Sequence, residues 1–133
     1  MEEDFIALVL ADARITTEVS NRVTFLALPQ PAVLPAITLT RISRVDDMAF
    51  SGLTGLAMTR MQADGWAATY AGAVRIGRAL QAALTGFSGT RGGTEFCGIF
   101  AAGLRDSFEE SGAAASSRLY RVSLDFMIHH RSI

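Results

Sequence analysis

Hydrophobic and polar positions alternate most regularly near the end of the chain. Tyr120, Val122, Leu124, Phe126 and Ile128 share one parity, and Arg121, Ser123, Asp125, Met127 and His129 share the other. A period of two predicts a strand with one face in the core and the other towards solvent or a neighbouring subunit. A different period governs the middle of the chain. There Ala73, Ile76, Gly77, Leu80, Ala83 and Leu84 make an apolar stripe, with Arg75, Arg78 and Gln81 opposite. This predicts an amphipathic helix from Tyr70 to about Leu84, N-capped by Thr69 and stopped by Gly86 at C′. Leu56 to Trp66, just before it, reads as a strand. Its Ala57, Thr59, Met61, Ala63 and Gly65 side is small enough to lie against a helix. A type I′ turn at Asp64-Gly65 is a second reading, ranked lower because Trp66 to Thr69 offers little returning strand.

The flanking segments are weaker in pattern. Glu2 to Ala11 suits an amphipathic helix with three acids in its first turn, where the positive end of the helix dipole favours them. Thr16 or Thr17 is the expected cap of one further helical turn through Val19. Asn21-Arg22 then turns the chain into a short apolar strand at Val23, Phe25 and Leu26. All three prolines fall in residues 29–35 (PQPAVLP), which predicts an extended edge connection. The β-branched run Ile37 to Val45 predicts a strand. Phe87 to Arg91 and Thr94 to Ala102 read as a hairpin about Gly92-Gly93. Arg105 to Glu110 is expected to leave the sheet, and Ser111 to Ser117 to form a mobile surface loop.

One piece resists this reading. Asp46 to Gly55 (DDMAFSGLTG) carries two glycines and two acids, yet also Met48, Phe50 and Leu53. Surface connections are usually polar. Three readings stand: a loop or hairpin tip folding its apolar residues back onto the core, a projecting arm that buries them in a partner, or, ranked last, a misread strand.

Composition narrows the function classes. A chain of 133 residues is one domain with room for a real core. Twelve basic residues against 13 acidic give a net charge of −1, which argues against a basic nucleic-acid clamp. All twelve are arginine, the mark of a GC-rich coding bias. One cysteine, Cys97, cannot form an internal disulfide, so a reducing cytosol is the expected compartment, and its neighbours Phe96, Ile99 and Phe100 suggest a buried hydrophobe. The acidic MEEDF start is unlike a signal peptide, and the apolar run FIALVLA is too short to cross a bilayer. His129 and His130 face opposite sides of a strand and cannot chelate one ion together, so no metal site is expected. No P-loop, G-x-S-x-G or G-x-G-x-x-G occurs, and the acidic pairs Asp46-Asp47 and Glu109-Glu110 read as solvated, so neither a catalytic residue nor a cofactor is expected.

Taken in order, these segments resemble the small tail-completion proteins of long-tailed phages, also called tail terminators or tail-to-head joining proteins. The likeness is carried by FIALVLADARITTEVSNRV, LPQPAVLPAITLTRIS, MQADGWAATYAGAVRIGRALQAALTGFSG and RLYRVSLDFMIHHR, and covers nearly the whole chain. The resemblance implies an α+β fold: a mixed, mostly antiparallel sheet of four to six strands with two main helices on one face. It further implies a structural, non-enzymatic role in a phage, prophage or gene transfer agent, first in the bacterial cytoplasm and then at the head–tail junction. Its expected partners are other copies of the chain in a hexameric ring, the tail tube protein and a head-side connector, with DNA only as passing cargo and no membrane. In that setting Met48, Phe50 and Leu53 become candidate contacts with a neighbouring subunit or the tube. Asp46, Asp47, Glu109 and Glu110 become candidate lumen-facing acids. The rival from another class is a stand-alone, dimeric ligand-binding or regulatory domain, for which no convergent polar pocket is visible.

Overall fold

The computed structural model describes residues 1–29, 31, 33–110 and 118–133. Its elements in chain order are α1 (Glu2–Leu10), α2 (Ala13–Val19), β1 (Val23–Phe25), β2 (Ala36–Ala49), β3 (Gly52–Ala67), α3 (Tyr70–Leu84), β4 (Gly89–Arg91), β5 (Thr94–Glu110) and β6 (Arg118–Ser132). The strands form one six-stranded sheet in the order β1-β2-β3-β6-β5-β4. Only β1 and β2 run parallel; every other neighbouring pair is antiparallel. The fold is α+β, with the helices on one face.

The central helix forms where its pattern places it. Thr69 accepts from the Gly72 backbone N–H at 3.1 Å, closing its N-terminus. Gly86, at φ +82°, takes the left-handed angle that ends it. Ala73, Ile76, Gly77, Leu80 and Leu84 are buried against β3 and β6. Two glycines set the spacing between the layers. A Cβ on Gly65 of β3 would fall 2.6 Å from Ile76 Cγ2, and one on Gly77 of α3 would fall 2.8 Å from Val122 Cγ1. Asp64-Gly65 is therefore no turn. β3 runs straight through it for 16 residues, and the missing side chain is where α3 sits.

The core continues through Phe5, Val9, Ile15 and Val19 of the first two helices to Ile37, Leu39, Met61, Phe96, Leu124 and Phe126 of the sheet. Burying side chains of this size contributes roughly 1.5–3 kcal/mol each. α2 is capped by Asp12, whose carboxylate accepts from the Arg14 backbone N–H at 2.9 Å, and not by Thr16 or Thr17. A carboxylate one residue ahead of the helix reaches the free N–H groups of the first turn, whereas both threonines lie inside it.

Further expectations are settled along the sheet. Arg105 to Glu110 does not leave the sheet: β5 is a 17-residue strand paired to β6 along its whole length. Its polar residues stay because that end of the sheet is solvated. β4 begins at Gly89, although Phe87 still accepts from the Ile99 N–H at 3.1 Å. Cys97 is exposed, because a bulge between Phe96 and Gly98 turns it away from the core face. Asp46–Gly55 is no loop, as described below. The expected loop Ser111–Ser117 lies outside the described residues.

His130 ends the buried face of β6, bonded through Nε2 to Thr59 Oγ1 at 2.8 Å. Burial pushes its pKa below the ordinary 6.5, and Arg44 and the N-terminal amine push it further, outweighing Glu2 and Asp46. The folded chain therefore holds a neutral imidazole. Its stabilising effect is complete above the unfolded value of about 6.5 and is lost as pH falls below it. Urea midpoints should drop between pH 7.5 and pH 5, and His130→Gln should flatten that slope; an unchanged slope would contradict the assignment. Gly65→Ala should lower unfolding free energy by about 1–3 kcal/mol through overpacking against Ile76, measurable by urea denaturation.

Candidate functional site

Two surfaces stand out: a projecting hairpin and a bare sheet face. β2 and β3 pair from Ala36↔Trp66 up to Ala49↔Gly52, leaving only Phe50-Ser51 as the turn. β6 stops supporting β3 at Leu56↔Arg131, so the hairpin beyond that level stands alone. Its tip is pinned by Thr54 Oγ1 donating to the Asp47 carboxylate at 2.9 Å, and its flank by Arg44 and Asp46 at 3.0 Å. Met48 and Leu53 face each other across the ladder, 68% and 69% exposed, and the ring of Phe50 at the turn is wholly exposed. These side chains do not fold back onto the core. The segment is an arm, and it is a β-hairpin because Ser43 to Ala49 continue the β2 ladder past two bulges.

The bare face is polar. Asp125 of β6, only 4% exposed, accepts from Arg60 of β3 at 2.6 Å and from Arg105 of β5 at 3.2 Å. Arg105 also reaches Gln62 at 3.3 Å, and Gln62 donates to Asp64 at 2.9 Å. At the same face Trp66 donates to Thr38 at 2.9 Å, and the Arg121 guanidinium lies 5.0 Å over its ring. Hydrogen bonds from Arg105 and then Arg60 hold the Asp125 carboxyl below its ordinary range. The sheet curls about this side. Leu26 and Leu28 beside β1, Trp66, Arg121 and Glu109 line one concavity of about 440 Å³ that spans the strands.

The candidate acids do not meet. Asp46 and Asp47 lie near the tip of the β2–β3 hairpin; Glu109 and the backbone of Glu110 lie at the far end of β5, beside the start of β6. The Glu110 side chain lies outside the described residues. His129 and His130 point to opposite faces, His129 packing edge-on against Phe100 with ring centroids 5.6 Å apart. Among the described residues no three His, Cys, Asp or Glu side chains are grouped to hold a metal ion. The Arg60–Asp125–Arg105 network was visible beforehand only as polar positions alternating along β3 and β6. Which carboxylate meets which guanidinium depends on the register between strands far apart in sequence.

The profile of the family described as Tail completion protein gp17 matches residues 3–131. The chain belongs to that family. By family it is a structural protein of a phage-type tail. Among solved structures, a chain in the virion of a native gene transfer agent particle shares the fold, with a TM-score of 0.76 at 17% identity over 99% of this chain and 95% of that one. No curated protein sequence matches. Among the described residues no helix is long and apolar enough to cross a membrane.

Removing the carboxylate at the centre of the network leaves two guanidinium groups facing each other. Asp125→Ala should cost about 1–3 kcal/mol of stability, the range for lost hydrogen bonds to charged groups. In the wild type that contribution is present above the unfolded Asp pKa of about 3.9 and is lost as pH falls through the lower folded value. In denaturant titrations the gap between the two proteins should therefore be smaller near pH 3 than at neutral pH.

Proposed function

We propose that six copies of this chain form a ring on the head-proximal end of the tail tube. The ring stops tube polymerisation, joins the tail to the head-side connector, and lets DNA pass through its lumen. The chain works first in the bacterial cytoplasm and then at the head–tail junction. The observation that carries the reading is the one-sidedness of the sheet. All helices cover one face, the other is concave and bare, and an apolar hairpin projects past one end.

A cyclic ring uses two different surfaces of each subunit, and a bulky helix layer fits best at the larger, outer radius. In this arrangement the bare face lines the lumen. Its arginines are already engaged: Arg60 and Arg105 with Asp125, Arg121 with Trp66 and Ser107, and Arg131 with Glu95 at 2.7 Å. The carboxylates of Asp64, Glu95, Glu109 and Asp125 on the same side match these arginines in number, and a wall without excess positive charge gives phosphates little to adhere to. Of the candidate acids, Glu109 borders the concavity of the bare face and is the one this reading sets along the DNA path, whereas Asp46, paired with Arg44 and level with Ala57, lies on the helix side.

Met48, Phe50 and Leu53 are read as the contact with a neighbouring subunit or the tube. Alanine at all three should leave stability within about 0.5 kcal/mol, as for exposed positions away from special features. The same variant should lose ring formation and tail joining. Deleting the gene should give overlong or headless tails in electron micrographs, whereas normal particles would overturn the reading.

A further inference from the structure

The two edges of the sheet are each covered for less than half their length, at opposite ends. β1 pairs with β2 only at Ile37 to Leu39, which leaves Thr40 to Ala49 with no strand beside it among the described residues. β4 pairs with β5 at Thr94 to Phe96, and Gly86 and Phe87 bond to Ile99, which leaves Phe100 to Glu110 equally bare. We propose that these free segments are two halves of one intermolecular ladder, the β2 edge of each copy pairing antiparallel with the β5 edge of the next. The inference rests on the ring reading and names the interface that would build it.

Four observations carry it. The first is polarity. β2 and β6 run one way and β3 and β5 the other, so copies set side by side with their helices on the same face bring β2 against an antiparallel β5. The second is length. The free segments are nearly equal, and each ends where its own subunit's cover begins.

The third is backbone phase. Ile37 donates outward to Arg22 and Leu39 accepts from Leu26, while on the other edge Ile99 bonds outward to Phe87 and Gly86. Inward and outward residues alternate along an antiparallel ladder, and each strand passes one bulge, at Arg41/Ser43 and at Ala101/Gly103. The outward N–H and C=O groups are then those of Arg44 and Asp46 on β2, and of Leu104, Asp106 and Phe108 on β5. Setting Arg44 opposite Asp106 joins two outward residues of opposite charge on the helix side, a favourable cross-strand pair. The fourth is exposure. Ile42 and Val45 on one edge, and Phe100, Leu104 and Phe108 on the other, are largely exposed. Long apolar free edges aggregate unless something covers them.

This pairing also closes geometrically. Within one copy Asp106 stands level with Val122 of β6, and Arg44 stands level with Ile128. Matching Arg44 to the next copy's Asp106 therefore staggers neighbours by the rise from Val122 to Ile128, roughly 20 Å at about 3.4 Å per residue. Four long strands at about 4.8 Å each give a width of roughly 19 Å per copy. Equal stagger and width incline the strands by about 45° to the ring axis, at the upper end of the range of closed barrels.

The test is disulfide trapping in a Cys97→Ser background, with the full chain alone at high concentration and in assembled tails. Arg44→Cys with Asp106→Cys in one chain should give covalent oligomers beyond the dimer on a non-reducing gel. Either cysteine alone should give only monomer, because head-to-tail contacts never place it against itself. Dimers from a single cysteine would overturn the head-to-tail polarity. No cross-link in assembled tails from Leu104→Cys, Asp106→Cys or Phe108→Cys, each with Arg44→Cys, would overturn the ladder. Asp106→Pro, tolerated where an edge N–H faces solvent, should keep the wild-type circular dichroism and lose assembly. Asp106→Ala, which retains the N–H, should still assemble; full assembly of a folded proline variant would refute the pairing. Normal tail ends without cross-links would remove the ladder and keep the capping role. Cross-linked rings with no effect of gene deletion would do the reverse.

Discussion

The close approach of one helix to one face of a sheet shapes the rest of this molecule. α3 can lie on β3 and β6 at that distance because Gly65 and Gly77 carry no side chains where Ile76 and Val122 press in. The contact buries the apolar stripe of α3 and fixes which parity of β3 and β6 is core. All remaining helical mass then joins the same side, α1 and α2 extending the layer through Phe5, Val9, Ile15 and Val19. The opposite face is left to polar side chains. A single layer of helices on a long curled sheet has one finished side and one open side, and an open side is a surface for something else.

What the open side carries is consistent with that asymmetry. Asp125 is nearly fully buried on the bare face only because Arg60 and Arg105 lie across it from the two neighbouring strands. Joined through Gln62 to Asp64, this cross-strand network sets two carboxylates against two guanidinium groups and presents little net charge outward, unlike the phosphate-gripping patches of nucleic-acid binders. The apolar exposure is concentrated elsewhere, at the β2–β3 hairpin and along the free part of β5. Polar wall and apolar margins are thus separated on one sheet. That division suits a subunit whose edges meet protein and whose face meets water or a polyanion, and it agrees with membership in a family of tail completion proteins.

Much of this was legible from local pattern. The period of two in β6 and the period of 3.6 in α3 each bury what they predict, and Thr69 and Gly86 bound the helix as such residues should. Local pattern failed where burial was withheld. Arg105 to Glu110 looked like a departure from the sheet because its charges suit solvent, yet backbone pairing to β6 holds it as strand. Asp46 to Gly55 stayed open between a loop or hairpin tip, a projecting arm and a strand because two glycines and two acids break the alternation; bulges absorb the irregularity and the ladder runs on. Cys97 looked buried among Phe96, Ile99 and Phe100, and one bulge reversed it.

The sequence by itself determined the core: which faces are apolar, where the main helix starts and stops, and the order of the segments that identifies the family. Those features rest on interactions within a few residues, or on composition of a face, and both are written locally. Only the tertiary structure decided which charges pair, which edges stay free and how far the hairpins reach. Those depend on register between strands such as β3 and β6, whose residues lie some sixty positions apart. A shift of one residue in that register would exchange buried for bare. No local period records such a choice; the packing of α3 against Gly65 and Val122 makes it.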